Sequence, residues 1–242
     1  MPHINAQRPN TRLQIIQLAA KLYIENGYSQ TTNKELATRL DISPGNITFY
    51  FPTKEHLLSV LVGELCDFQQ LLMEQAAEEG KSSLLAYCLE LTSMTAACEE
   101  DAVARDFFIS SYSSELTLRL IRENDTQKTK DIFAPYCADW SDEMWQATEN
   151  IVSGIEYATL MTREEDIPLA VQIERTLNTI MTIYGVPEEI RRVKIEKVLA
   201  MDYRALGRRI LTEFKEYIAM INEDNLKKAI CDRAKKAQPL AE

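Results

Sequence analysis

The sequence predicts an all-α protein, and three observations lead to this fold class. Only 7 of the 242 residues are glycine and 8 are proline, whereas a β-rich chain of this length needs more turn residues. Apolar residues recur at the 3.6-residue spacing of helices, and residues that cap helices stand where these periodic stretches begin and end. With 45% apolar and 26% charged residues, the chain can also bury a sizeable core.

Two short helices near the N-terminus are predicted over 33–40 and 44–51, with a turn at 41–43 between them. Thr32 and Ser43 are their expected N-caps, because a short side-chain oxygen can accept from a free backbone N–H of the first turn. Two helices joined by a turn of three or four residues form a helix-turn-helix. The spacing therefore predicts this motif.

Longer helices flank the pair. One begins near Asn10 and ends at Gly27, a residue type common just after a helix. Another follows Thr53, its expected cap, and runs towards Glu79. The polar arm over 1–9 precedes them all.

Beyond Gly80 the pattern remains helical, with an expected break at Arg122–Thr126 and another at Arg163–Ile167. Helices are expected at 82–98, 102–121, 128–137, 141–162, 167–184, 187–203, 205–221 and 224–236. The apolar positions after Pro187 indicate extra helices that pack on the rest or enlarge a dimer interface. We therefore expect a helix-turn-helix head over 8–60, joined by a long fourth helix to a helical bundle, the body, over 61–242.

Charge is distributed unevenly between these two parts. The net charge is −10, but residues 1–60 carry six basic and four acidic side chains, which leaves −12 for the remainder. The basic residues are Arg8, Arg12, Lys21, Lys34, Arg39 and Lys54; the acidic ones are Glu25, Glu35, Asp41 and Glu55. A mildly basic head on an acidic body can turn one face towards a polyanion.

The second short helix has the chemistry for reading a DNA major groove. Gly45 lets the backbone approach closely, Asn46 can donate and accept at a base edge, and the Thr48 methyl can contact a thymine methyl. Lys34 and Lys54 each stand in the first turn of a helix, where the helix dipole disfavours a cation unless an anion is near. Either these lysines hold DNA phosphates or they are simply solvated.

The head resembles the N-terminal domain of the TetR family of bacterial transcriptional regulators over about 48 residues. The resemblance is carried by Ala19, Tyr23, Gly27-Tyr28, Thr32, Leu36-Ala37, Leu40-Asp41-Ile42-Ser43-Pro44-Gly45-Asn46-Ile47, Tyr50-Phe51, Thr53-Lys54-Glu55 and Leu57-Leu58. It implies a DNA-facing position for each of Thr32, Ser43, Gly45, Asn46, Tyr50 and Lys54. To these we add Lys34, Thr48 and Phe49 as candidate DNA-binding residues.

One position departs from the family pattern, which usually has tyrosine where this chain has Thr48, followed here by Phe49. A smaller residue at 48 changes which base can be read. Phe49 and Tyr50 have an alternative interpretation, packing against the first helix. Ile47 and Phe51 are expected in the core.

The resemblance also implies a body that dimerises through two late helices and encloses a small-molecule pocket. The small residues Ser153, Gly154 and Ala158 suit a dimer seam, or equally close packing inside one subunit. Aromatic and sulfur side chains concentrate in the middle of the body, and they indicate either a ligand pocket or an ordinary core. The candidate ligand-binding residues are Met94, Phe107, Phe108, Tyr112, Tyr157 and Met161.

An enzyme is not indicated. The two histidines are His3 and His56, and the acidic runs Glu99-Glu100-Asp101 and Glu164-Glu165-Asp166 fit solvated helix boundaries. The five cysteines have no metal-ligand spacing, so neither a metal nor a cofactor is expected. With a polar start and no apolar run near the ~18 residues of a membrane span, we expect a cytoplasmic protein.

The resemblance thus implies a homodimeric regulator, a repressor released from a palindromic DNA operator by a small-molecule effector of unknown identity. The alternative is a DNA-binding protein of the same type whose body mainly recruits or regulates another protein.

Overall fold

The computed structural model describes residues 10–79, 83–162 and 166–236, with side chains up to Cys231. Within these ranges the chain forms twelve α-helices, one 3-10 turn and no β-strand, which confirms the all-α fold class. The N-terminal arm and Arg163–Glu165 of the predicted break lie outside the described residues. The helices are α1 (Thr11–Asn26), α2 (Asn33–Arg39), α3 (Pro44–Tyr50), α4 (Lys54–Ala77), α5 (Leu84–Glu100), α6 (Ala102–Ser113), α7 (Glu115–Phe133), α8 (Asp142–Met161), α9 (Leu169–Ile183), α10 (Glu188–Ala200), α11 (Tyr203–Met220) and α12 (Glu223–Lys236), with the 3-10 turn at Ala134–Tyr136.

The head forms as its apolar pattern predicts. α1 begins after Asn10, whose side chain accepts from the N–H of Leu13, and it ends at Gly27, where φ is +96°. α1 packs on α2, and the buried residues of α1 share one hydrophobic core with Leu36 of α2 and Ile47 of α3, both fully buried. The 24-residue α4 begins in the head and continues into the body, where it packs on α5 and α7.

One predicted break is wrong. The chain is helical through Arg122–Thr126, and the interruption falls instead at Ser114, between α6 and α7. The polar run Asn124-Asp125-Thr126 has low intrinsic helix propensity, but α7 packs along both α4 and α8, and tertiary packing overrides propensity. At the actual break, the Thr117 hydroxyl donates to the carbonyls of Ser111 and Ser114. It thereby provides a hydrogen-bond donor for the backbone carbonyl of Ser111 in the last turn of α6.

The helices after Pro187 pack on the rest of the molecule. α10 lies against α5 and α9, and α11 lies against α5 and α1. The approach of α11 to α5 depends on Gly207, since an added Cβ would come within 2.5 Å of the Ser93 carbonyl oxygen. Gln17 of α1 donates to three carbonyls at the end of α11, one of them that of Ile218. The late helices therefore support the head as well as the body.

Candidate nucleic-acid interface

The two short helices are capped as the sequence predicts. The Thr32 hydroxyl accepts from the backbone N–H of Glu35 at 3.1 Å, and the Ser43 hydroxyl accepts from that of Asn46 at 3.3 Å. The turn between them passes through Asp41, a non-glycine residue with φ at +54°.

α3 presents one buried and one open face. Ile47 is fully buried and Phe51 nearly so, as predicted for the head core. Gly45, Asn46 and Thr48 are exposed. The Thr48 hydroxyl donates to the Gly45 carbonyl at 3.1 Å, while Asn46 leaves its side-chain amide exposed at the start of the helix. The open face of α3 therefore has donors and acceptors at its N-terminal end, where a groove-reading helix needs them.

Phe49 and Tyr50 extend this exposed surface to the C-terminal end of α3. Phe49 is 79% exposed and Tyr50 is 37% exposed, and their rings meet edge to face with centroids 5.1 Å apart. The alternative that Phe49 packs against α1 is therefore wrong. The other phenylalanines are buried or, in the case of Phe68, partly buried, so an apolar ring left this open fits contact with another molecule.

The two lysines have different surroundings. Lys34 is exposed, but Lys54 is partly buried, and its Nζ donates to the Tyr28 carbonyl and lies 3.8 Å from the centre of the Tyr28 ring. Burial lowers the pKa of Lys54, with Asp106 and Glu55 acting against that shift. Lys54 is thus anchored inside the chain, and the interpretation as a simply solvated side chain is wrong for it.

The prediction that the Thr53 side chain caps α4 is also wrong. Thr53 is at the N-cap position but makes no capping hydrogen bond; its hydroxyl lies 3.0 Å from Nδ1 of His56. The start of α4 therefore lacks the side-chain cap that Thr32 and Ser43 provide for α2 and α3.

A contact that sequence reasoning missed holds the loop between α1 and α2. Asp106 on α6 accepts from the backbone N–H of Ser29 at 2.8 Å and also from its hydroxyl. Close packing supports this contact, since a Cβ at Gly27 would lie 3.0 Å from an Asp106 oxygen. The sequence carries no signal for the pair because 77 residues separate its members.

The candidate ligand-binding residues do not gather around one cavity. Phe107 and Phe108 are buried in the core, and Met161 is 43% exposed. Met94 and Tyr112 line a small cavity that also borders Tyr87, Glu90, Leu91, Asp125, Lys128 and Glu156, and Tyr157 stacks on Tyr112. The sequence pattern predicted an apolar pocket and did not reveal that polar side chains, above all carboxylates, line this cavity.

The acidic run at Glu99-Glu100 is ion-paired rather than simply solvated. Arg204 of α11 contacts both carboxylates at 2.7 Å, and Arg208 contacts Glu100 at 2.9 Å. Asp101 caps α6. Glu164 and Glu165 of the second run lie outside the described residues.

Among the described helices, none combines the length and the apolar character that crossing a membrane requires.

Residues 15–61 match the family model described as bacterial regulatory proteins, tetR family. The chain is 35% identical over 78 residues to the uncharacterized HTH-type transcriptional regulator YuxN of Bacillus subtilis (strain 168), covering 32% of this chain and 27% of YuxN. It is 40% identical over 48 residues to the HTH-type transcriptional regulator QacR of Staphylococcus aureus (strain Mu50 / ATCC 700699), covering 20% of this chain and 26% of QacR. The matched region thus spans about a quarter of the length of each curated relative.

Two solved structures align with 84% of the chain. One is a gamma-butyrolactone receptor (ArpA-like protein), with 97% of its chain covered, 19% identity and a TM-score of 0.41. The other is CprB from S. coelicolor A3(2), a TetR family protein, with 98% covered, 21% identity and a TM-score of 0.40. The family model describes regulatory proteins, and both curated relatives are transcriptional regulators. This agrees with the expectation that an enzyme is not indicated. Residues 15–61 thus form an N-terminal domain of the kind found in the tetR family of bacterial regulatory proteins.

Proposed function

We propose that the protein is a sequence-specific DNA-binding regulator of transcription whose α3 enters the major groove. The observation that carries the proposal is the open face of α3, with Gly45, Asn46 and Thr48 exposed behind the Ser43 cap. Asn46 and Thr48 are base-reading side chains, and Thr32, Lys34 and Ser43 lie at the helix starts that contact phosphates. Tyr50 and Phe49 complete the surface.

The charge distribution supports this orientation. The first 60 residues sum to +2 and the remainder to −12, so an approaching duplex is attracted by the head and repelled by the body. The match over residues 15–61 falls on the same part of the chain.

We infer that the working unit is a homodimer, and that it acts in the cytoplasm. One short recognition helix reads few base pairs, whereas a two-fold dimer reads a palindrome with two helices. An apolar stripe on α8 fits such a contact: Met144, Ile151 and Met161 are 47%, 60% and 43% exposed, with Gly154 and Ala158 exposed between them. A Cβ added at Gly154 would meet nothing within 4 Å, so a second helix can approach closely there. Ser153, in contrast, is buried and accepts from Arg122.

We propose further that the protein is a repressor whose release from its operator follows ligand binding in the body. The contacts that join body to head support this coupling, since α6 reaches the head through Asp106 and Ser29. A ligand that favours one arrangement of α6 changes the DNA affinity, and DNA must change the ligand affinity by the same factor.

Selection from a random duplex pool tests the DNA-binding proposal. The full-length protein should enrich an inverted repeat whose half-sites lie about one helical turn, or a multiple of it, apart. Fluorescence anisotropy then compares the enriched duplex with a scrambled duplex of equal length at fixed salt. A protein that enriches no sequence, or that binds both duplexes equally, is not the regulator proposed.

A further inference from the structure

Three carboxylates from two helices converge inside the body. Asp125 of α7 and Glu149 and Glu156 of α8 each place a carboxylate oxygen within 4.8 Å of those of the other two. Glu149 and Glu156 are buried, and Asp125 is partly exposed. Buried carboxylates repel one another and lose hydration, so such a group needs a compensating partner.

Tyrosine hydroxyls satisfy most of the buried oxygens but not all. Tyr87 donates to Oε1 of Glu156 at 3.3 Å, and Tyr112 donates to its Oε2 at 3.1 Å. Tyr184 donates to Oε2 of Glu149 at 3.2 Å. The other oxygen of Glu149, Oε1, is buried and has no hydrogen-bond partner among the described residues. Glu149 is only 1% exposed, so water does not readily take the place of that partner. An unsatisfied buried acceptor in such a group indicates a missing donor or ion.

The nearby positive charge is already engaged. Lys128 forms an ion pair with Glu90, which also borders the cluster. Counted ionised, the group therefore has four carboxylates against one ammonium. The cluster therefore has an excess of negative charge that a bound cation would offset.

We propose that Asp125, Glu149 and Glu156 bind a divalent metal ion through oxygen ligands. Oxygen atoms within 4.8 Å of one another can share an ion at the 2.0–2.6 Å bond lengths typical of Mg²⁺ and Ca²⁺. An all-carboxylate donor set selects such hard ions over softer ones. The adjacent cavity has room for about one water molecule, which suits an ion better than an organic cation.

Sequence reasoning predicted no metal site because the three acids form no spaced motif; α7 and α8 bring them together only when packed. The proposal does not depend on DNA binding, and its test contains no DNA. Its failure would therefore leave the proposed regulatory function untouched.

The test titrates Mn²⁺, Mg²⁺ and Ca²⁺ separately into full-length protein that has been freed of metal with a chelator and then desalted. Equilibrium dialysis gives affinity and stoichiometry, and thermal unfolding gives stabilisation by mass action. Tryptophan fluorescence gives a local signal, since Trp140 and Trp145 both lie beside Tyr184, at 5.8 and 6.0 Å between ring centres. We expect one ion per chain, a higher melting temperature and a fluorescence change at the same ion concentration.

Three variants and one control locate the ion. Glu149→Gln and Glu156→Gln keep side-chain shape, and Asp125→Asn changes the partly exposed member, whose replacement disturbs the core least. Each should weaken binding by roughly 10- to 100-fold or more, since even outer-shell changes have this effect. Glu64→Gln, at a buried glutamate of α4 bonded to Tyr217, should bind as the wild type does.

Three outcomes would overturn the proposal. The first is no binding of any of the three ions at millimolar concentration. The second is equal binding by the wild type and all three cluster variants. The third is stabilisation by butylammonium, added as a metal-free organic cation, with no effect of the metal ions.

Discussion

Asp106 on α6 holds Ser29 by two hydrogen bonds, one from the backbone N–H at 2.8 Å and one from the hydroxyl, and so ties the loop between α1 and α2 to the body. Hydrogen bonds to an ionised group are among the stronger ones in proteins. This carboxylate therefore holds the loop to α6 in addition to the packing of α1 on α6.

Asp106→Ala should lower the free energy of unfolding by about 1–3 kcal/mol, the range for hydrogen bonds to charged groups and the groups left unpaired by their loss. Urea denaturation measures the change. Asp139→Ala, at an exposed aspartate, is the matched control and should stay within about 0.5 kcal/mol of the wild type. Equal stability of the two variants would show that Asp106 does not hold the loop.

Asn46→Ala should weaken binding to the selected operator by about 1–3 kcal/mol, the value of one good base contact, and hardly change binding to a scrambled duplex. Anisotropy titrations at one salt concentration measure both. Thr48→Ser is a finer comparison, because it keeps the hydroxyl that bonds the Gly45 carbonyl and removes only the methyl. Equal losses on operator and scrambled DNA would argue against base reading at Asn46.

Lys54→Gln should have two effects. It should lower the free energy of unfolding by about 1 kcal/mol, because the ammonium that donates to the Tyr28 carbonyl is lost. It should also reduce the slope of log K against log salt by about 0.9 on any duplex, if the remaining exposed part of the lysine contacts one phosphate.

Lys34→Gln separates these effects. Lys34 is exposed, so we expect a similar change in salt slope with stability within about 0.5 kcal/mol of the wild type. A salt slope unchanged in Lys54→Gln would make Lys54 a purely structural residue.

Ile151→Glu should dissociate the dimer. A two-fold interface across the α8 stripe would bring the new charges of both copies together, and like charges at an interface cost several kcal/mol, so the dissociation constant should rise roughly a hundredfold or more. Light scattering across a concentration series measures the mass. Leu71→Glu, at a 58% exposed position of α4, is the control. A monomeric wild type, or a variant as dimeric as the wild type, would rule out this seam.

Glu156→Gln should stabilise the metal-free protein, measured in chelator at pH 8, by about 1–4 kcal/mol, the range by which neutral residues of similar volume stabilise a protein when they replace buried ionic groups. The pKa of Glu156 is raised on folding to about 8, so the folded state keeps a proton that the unfolded chain has already lost near pH 4.5. Stability from this group therefore falls as pH rises from about 5 to 8. The gain in the variant should be smaller at pH 5, and a gain independent of pH would contradict the assignment.

The head was predictable because its signals are local. Caps at Thr32 and Ser43, Gly27 after α1 and the buried periodic residues each act within a few positions, and the structure agrees with all of them. The body was less predictable, because its helix boundaries depend on packing between helices. The break expected at Arg122–Thr126 is absent because packing of α7 on α4 and α8 outweighs the low helix propensity of its polar residues.

The sequence by itself determined the all-α class, the helix-turn-helix and the identity of the exposed side chains on α3, since these follow from periodicity and capping within single helices. Only the tertiary structure decided which distant side chains meet. It placed Lys54 on Tyr28, Asp106 on Ser29, and Asp125 beside Glu149 and Glu156. Contacts between residues far apart in the chain arise from helix packing, and the helical period alone does not specify which faces pack together.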